Sequence, residues 1–525
     1  MTPDPLAAAF DAVTPFTVGL EEEAMLLDAE TLAPADRAAE LIARVGTSPA
    51  TAKLELPACQ IELTSRPRAT VAAAIDDLAA GRRTVLAAGG EELRPAAAGV
   101  HPFAPAEGGL NGGPRYDKAA ATYRWAARRQ QVCALQVHVA VGGAERTVAV
   151  HDALRAELPA LAALAGNAPI YGGRDTGLAS VRPALCRLLP RQGIPPALGS
   201  VQRLRADLAW GAASGAVPEP GFWWWELRPH PRHGTLELRV PDAQTTLADA
   251  AAVAAVAHCL VVELAQRHGA GERWPELPSW RLEENRFAAC RDGVAATFAD
   301  PVSGARVAAG DHLLALIERL APVARELGCA TELAGARRLV AANGAVAQRA
   351  VAHERGARGL AGWLADRYAD GVAPADAAAP AEPVAAARVV AAAGAVSVCA
   401  HGRRPGARRR AALLARHRPP AAGGARAARL RGGRRRTAGQ ARAAAGVAGR
   451  GRRRRPRLPR PGGGARRRAA GGRAAAAGDL GRLRAAARGE ARRPPRRPAR
   501  PGRRRRGDRR ARRVPRPRRP DRRRR

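Results

Sequence analysis

The chain has 525 residues and a formal net charge of +40, with 26% of residues charged and 3% aromatic. Residues 401–525 hold 48 arginines against four acids (Asp479, Glu490, Asp508, Asp521), a local excess of 44 that leaves residues 1–400 at −4. The basic balance thus belongs to one end of the chain and excludes a uniformly basic, nucleic-acid-coating surface over the rest.

In chain order, Phe16 to Asp28 reads as a first strand and Thr31 to Val45 as a helix. Leu54 to Thr64 alternates like a strand broken at Pro57, and Val71 to Leu93 carries an Ala-rich helical stripe. A Gly/Pro loop from Pro95 to Pro114 leads to a helix over Tyr116–Arg129. Val132 to Val141 then reads as a strand, and Ala144–Ala165 contains a long helix. Asn167 to Pro183 is polar and Gly-rich, the kind of loop on which binding residues concentrate. Two strands, Trp223–Arg228 and Thr235–Val240, are joined through His230-Pro231-Arg232-His233-Gly234. The segments 247–268 and 311–354 are mainly helical. The most apolar stretch, Ala248–Ala265, is interrupted by Asp249, His258 and Glu263, which predicts a buried helix and no membrane span. Strands interspersed with helices predict an α+β fold with a mainly antiparallel sheet.

A folded region is expected over 1–372, an Ala/Pro-rich linker over 373–400 and a disordered tail over 401–525. The tail has no Trp, Phe, Tyr, Met, Cys or Ile with which to offset ordering entropy. Lys53 and Lys118 are the only lysines in the chain, a sign of a GC-rich gene in which a shifted reading frame would yield such an Arg/Ala/Gly/Pro tail. The functional alternative is an arginine arm that contacts phosphates, which would make nucleic acid a partner. Seven cysteines without a C-x-x-C pair, and no basic-then-apolar leader, fit a reduced protein in the cytoplasm.

The informative pattern is a set of strands whose polar face is mostly carboxylate: Gly19–Glu23, Gln60–Leu63, Gln136–Val139 and Leu236–Val240. Side chains alternate along a strand, so Glu21 and Glu23 share a face, as do Gln60 and Glu62, and Glu237 and Arg239. Crowded carboxylates repel and raise one another's pKa unless cations are present, and hard oxygen ligands favour Mg2+ or Mn2+. A shared metal site is therefore expected from Glu21, Glu23, Glu62 and Glu237, joined by Glu55 if the break at Pro57 lets it face inward. His138 suits either core or site. Glu22 reads as an exposed charge that guards a strand edge. Arg239 can neutralise the carboxylates or bind phosphate, and Arg174 and Arg182 can grip a substrate carboxylate. The run Trp223-Trp224-Trp225 is expected to straddle a strand, with one ring in the core and another lining a pocket. Walker A, G-x-G-x-x-G and G-x-S-x-G sequences are all absent.

Taken together, Thr17–Glu23, Gln60–Thr64, Cys133–Val139, Gly173–Arg182, Glu226–Arg239 and Glu284-Asn285-Arg286 resemble the bacterial carboxylate–amine ligases of the glutamate–cysteine ligase type. The resemblance implies a glutamine-synthetase-like sheet with helices on one face, cradling ATP and magnesium. It implies metal-facing roles for Glu21, Glu23, Glu55, Glu62, His138 and Glu237, phosphate contact by Arg239, and a glutamate-carboxylate contact by Arg182. Its substrates would be glutamate and cysteine or another amine. One departure is Gln136, where many relatives carry histidine, and an orienting role is expected for it. The competing readings are a metal-dependent phosphohydrolase using the same carboxylates and a nucleic-acid binder acting through the tail.

Overall fold

Alternation along Val18–Asp28 (β1) builds the centre of the molecule, placing Leu20 and Ala24 on one face and Glu21 and Glu23 on the other. In the computed structural model, which describes residues 5–372 apart from 218, 219 and 371, β1 pairs antiparallel with three further strands. These are Gln60–Thr64 (β3), Leu93–Ala96 (β4) and Leu135–Ala140 (β5). Thr51–Leu54 (β2) pairs with β3 at one edge. Short hairpins form between Ile170–Tyr171 (β6) and Arg174–Asp175 (β7), and between Thr297–Ala299 (β10) and Arg306–Ala308 (β11). Leu227–His230 (β8) and Thr235–Leu238 (β9) complete a seven-stranded sheet of order β2-β3-β1-β5-β9-β8, with β4 beside β1 off that path. The linker and tail expected at 373–400 and 401–525 lie outside the described residues.

Leu20, Ile61, Leu63, Val137, Val139, Leu236 and Leu238 are fully buried and meet helices on one side of the sheet. At about 25 cal/mol per Å2 of apolar surface removed from water, that layer is the main favourable term holding the sheet. The helix Leu247–Gly269 packs against β5 and against the helices Val71–Gly89, Ala144–Leu154 and Ala330–Ala341. It is long and apolar enough to cross a membrane, but 83% of its apolar window is buried within the fold. Thr246 caps its N-terminus by accepting a hydrogen bond from the Asp249 backbone N–H.

Several predicted elements change. The helix read over 31–45 exists only as Ala38–Arg44, because Leu27 bridges to Pro34 and the Ala35 N–H bonds the Leu26 carbonyl, which ties that segment to β1. The helix read over 116–129 is broken at Arg124, whose φ is +49°. The 144–165 helix divides at a 3-10 turn over Arg155–Glu157. Strand β8 begins at Leu227, so the tryptophan run precedes the strand and does not straddle it. The β8–β9 turn closes on Gly234 at φ +64°, where any Cβ would stand 2.2 Å from the Ala9 carbonyl oxygen.

Candidate active site

The antiparallel register aligns the polar residues into rows across the face opposite the helices. Glu23 stands opposite Glu62, which stands opposite Lys53. Glu21 stands opposite Thr64 on one side and Gln136 on the other. His138 stands opposite Glu237, which stands opposite Arg228. Four strands distant in sequence thereby bring Glu21, Glu23, Glu62, His138, Glu237 and Arg239 onto one surface. Glu55 lies just beyond β2, half-buried, and joins the same surface.

Each group is held by specific partners. Glu23 accepts hydrogen bonds from the Ala134 N–H and from Gln136 Nε2, both at 2.7 Å. Gln136 in turn accepts from the Arg239 guanidinium, which also grips Glu237. Arg228 forks onto Glu237 from the other side, at 2.7 and 3.1 Å. Lys53 Nζ is 2.6 Å from Glu62 and 3.8 Å from Glu21. His138 fixes its Nδ1 3.0 Å from Thr235 Oγ1, and its buried Nε2 has no hydrogen-bond partner, standing 3.7 Å from Glu21 and 3.9 Å from Glu237.

These neighbours split the carboxyls into two electrostatic classes. Burial, reinforced by Glu62, lifts the Glu23 carboxyl to about 7 despite Arg239. Burial and mutual repulsion likewise raise Glu55, which faces Glu62 and Glu23, and Glu62, which faces Glu21. Burial also works against ionised Glu21, but His138 and Lys53 draw it down to about 2. For Glu237, burial is outweighed by Arg228, Arg239 and His138, which hold it well below the usual range. His138 is disfavoured as a cation by burial yet raised overall by Glu237 and Glu21.

Among the described residues, no three acidic, imidazole or thiol groups yet converge as a set able to hold a metal ion. Lys53, Arg228 and Arg239 instead supply the positive charge. The donor set nevertheless fits a divalent cation: raised, crowded carboxyls gain from added positive charge, and His138 Nε2 offers an unused lone pair once neutral. Glu21, Glu23, Glu55, Glu62, His138 and Glu237 are the residues that could hold it.

Two cavities open on this face. One, of about 130 Å3, is lined by Glu23, Glu55, Arg115, Arg182, Arg239 and Trp224 among others. The second, of about 430 Å3, is lined by Gly19, Glu21, Thr64, His138, His233 and Thr235 together with apolar Val13, Val18 and Pro67. Arg182 borders the first cavity, but its guanidinium is committed to Asp242 at 2.7 Å and to the Arg239 and Val240 carbonyls. Arg174 is exposed on β7 and lines neither cavity. Glu22 is no edge charge: it is 1% exposed on the helix-facing side and paired with fully buried Arg82.

Sequence reasoning missed Arg228, Lys53, Arg115 and Tyr116 as members of this surface. Parity held a signal for two of them, since Arg228 follows Glu226 by two positions and Lys53 precedes Glu55 by two. Arg115 and Tyr116 come from the helix Pro114–Tyr123, which no strand pattern could place there.

The sequence model of glutamate–cysteine ligase family 2 matches residues 17–362. A Rubrobacter xylanophilus protein named "Putative glutamate–cysteine ligase 2-3" is 40% identical over 368 residues, covering 69% of this chain and 99% of that protein. A Mycobacterium ulcerans protein named "Putative glutamate–cysteine ligase 2" is 35% identical over 322 residues, covering 60% of this chain and 81% of its own length. The crystal structure of a Francisella tularensis glutamate–cysteine ligase in complex with AMP superposes with a TM-score of 0.51 at 12% identity. It covers 69% of this chain and 90% of that one, a likeness of fold that agrees with a mainly antiparallel sheet backed by helices.

Proposed function

The chain belongs to glutamate–cysteine ligase family 2, an enzyme family that forms carbon–nitrogen bonds, and from that premise we propose that it uses ATP to join the γ-carboxyl of glutamate to an amine through an acyl phosphate. The observation that carries this reading is the carboxylate floor of Glu21, Glu23, Glu62 and Glu237 bordered by Lys53 on one side and Arg239 on the other.

A carboxylate is a poor electrophile, and phosphorylation gives it a leaving group. A divalent cation on the carboxylate floor would neutralise nucleotide phosphates as the donor carboxylate attacks. Arg239, held in place by Glu237 and Gln136, stabilises the transferring phosphoryl group. Arg182, itself anchored by Asp242, and Arg115 set a positive wall around the first cavity, where the amino-acid carboxylates would sit. Phe222 and Trp224 on that wall help exclude water, which would otherwise hydrolyse the acyl phosphate. The six cysteines of the described residues are free thiols, which supports a reducing, cytoplasmic setting.

The test is ADP release by the full chain with glutamate and Mg2+, as a function of added cysteine and other amines. Amine-dependent ADP together with a γ-glutamyl product is the expected result. Phosphate release from ATP that ignores the amine would favour a phosphohydrolase instead.

A further inference from the structure

Of 87 cationic residues counted as Lys plus Arg, only Lys53 and Lys118 are lysine. Lys118 lies on the helix Pro114–Tyr123 with its Nζ 5.7 Å from the ring centre of Phe222, a residue that lines the first cavity. Lys53 lies on edge strand β2, in the row that continues through Glu62 to Glu23. Everywhere else this chain uses arginine for positive charge. At Lys53 the two side chains are not equivalent: a guanidinium forks onto a carboxylate and stays, whereas an ammonium is a compact charge on a flexible stem that can exchange partners.

The surroundings of Lys53 suit exchange. Its side chain is 45% exposed, while its partners Glu62 and Glu21 are 3% and 13% exposed. It therefore reaches in from solvent to neutralise buried carboxylates that a divalent cation would also require. Across the sheet, Arg239 directly follows β9, which lies four strand spacings from β2, or about 19 Å between backbones. Arg239 is pinned by both Glu237 and Gln136.

We propose that Lys53 is a mobile catalytic cation: it holds Glu62 and Glu21 in the metal-free enzyme, then yields them to the entering divalent ion and turns its ammonium onto the transferring phosphoryl group opposite Arg239. This rests on the ligase reading above.

The role sets two effects of one substitution in opposite directions. In K53M, Mn2+ binds the nucleotide-free protein more tightly, by roughly fivefold, because a competitor for the carboxylates is gone. In the same variant, kcat for amine-dependent ADP formation falls about 100-fold, because a phosphoryl contact is gone. Mn2+ affinity is read from the electron paramagnetic resonance of free Mn2+, kcat by a coupled assay, and folding by thermal melts. K53R, which keeps the charge but not the ability to let go, is expected to bind Mn2+ more weakly than K53M and to leave kcat low. Unchanged kcat in K53M overturns the proposal, as does weaker or unchanged Mn2+ binding in a folded protein, or full activity in K53R. Absence of amine-dependent turnover in the unsubstituted enzyme overturns the ligase reading instead, and the Mn2+ measurements still decide whether Lys53 competes for the carboxylates.

Discussion

Gln136 shows how much of the site is arranged at the level of single atoms. Its amide donates to Glu23 through Nε2 and accepts from Arg239 through Oε1, so one neutral side chain sets the orientation of a carboxylate and of a guanidinium. An acid in its place could not donate, and an alanine would leave Glu23 with only the Ala134 N–H. We expect Q136A to fold normally and to lose about 10- to 100-fold in kcat, with a smaller change in KM for ATP, because Arg239 would be misplaced and not lost. Steady-state kinetics beside a thermal melt check this. The main members of the surface were legible because period-two alternation states parity directly, and Glu21, Glu23, Glu62, Glu237 and Arg239 all fall on the polar parity. Parity also carried Glu22 to the opposite face, but it could not name Arg82, 60 residues away, so the residue read as an exposed charge. Arg182 was recognisable as an important arginine, yet its partner Asp242 and the backbone carbonyls it binds become visible only when the chain has closed.

The helix Val71–Gly89 is the element that converts that misreading into a structural statement. Arg82 leaves this helix to meet Glu22 on β1, and its remaining donors reach the carbonyls of Tyr368, Thr245 and Gln244. One guanidinium thereby links the central strand, the start of the core helix and the last described helix, with the Tyr368 ring lying 3.9 Å from it. Arg82 and Glu22 are 0% and 1% exposed, so removing one leaves the other a buried charge without its partner. The expected cost of R82M is about 3–5 kcal/mol of unfolding free energy. The double replacement R82M with E22L is expected to recover much of that loss, because two apolar side chains carry no desolvation penalty. Urea unfolding of both variants and of E22L alone closes the cycle, and a double variant no better than R82M would refute the pairing as the source of the loss. Strands β1, β3, β5 and β9 were readable from alternation, but β4 falls where a helix end and a loop were read. The segment 31–37 and the tryptophan run were misread because pairing partners and turn geometry, which local periodicity does not contain, decide them.

For the molecule as a whole, the sequence divides charge and chemistry between different stretches of chain. The family match ends at residue 362, and the 40% identical relative is used up to 99% of its length by a match that takes in only 69% of this chain. The carboxylate surface, both cavities and every proposed site residue lie before residue 240, whereas the 48 arginines lie from 401 onward. The two ends are therefore expected to separate in function. Without residues 373–525 the remaining chain loses its large positive excess and becomes slightly acidic, while each residue of the site keeps its partners. Binding of a polyanion depends on counterion release and falls steeply with salt in proportion to the cationic contacts made. We expect the full chain to bind single-stranded RNA at low salt with a steep, sequence-independent salt slope. The chain ending at 372 should lose that binding and keep kcat and KM for amine-dependent ADP formation within about twofold. Retention of RNA binding by the shortened chain would place a nucleic-acid surface on the folded domain, against its charge. Loss of turnover from a folded, shortened chain would mean that the arginine-rich stretch contributes to the ligase itself, and the boundary at 372 would have to move.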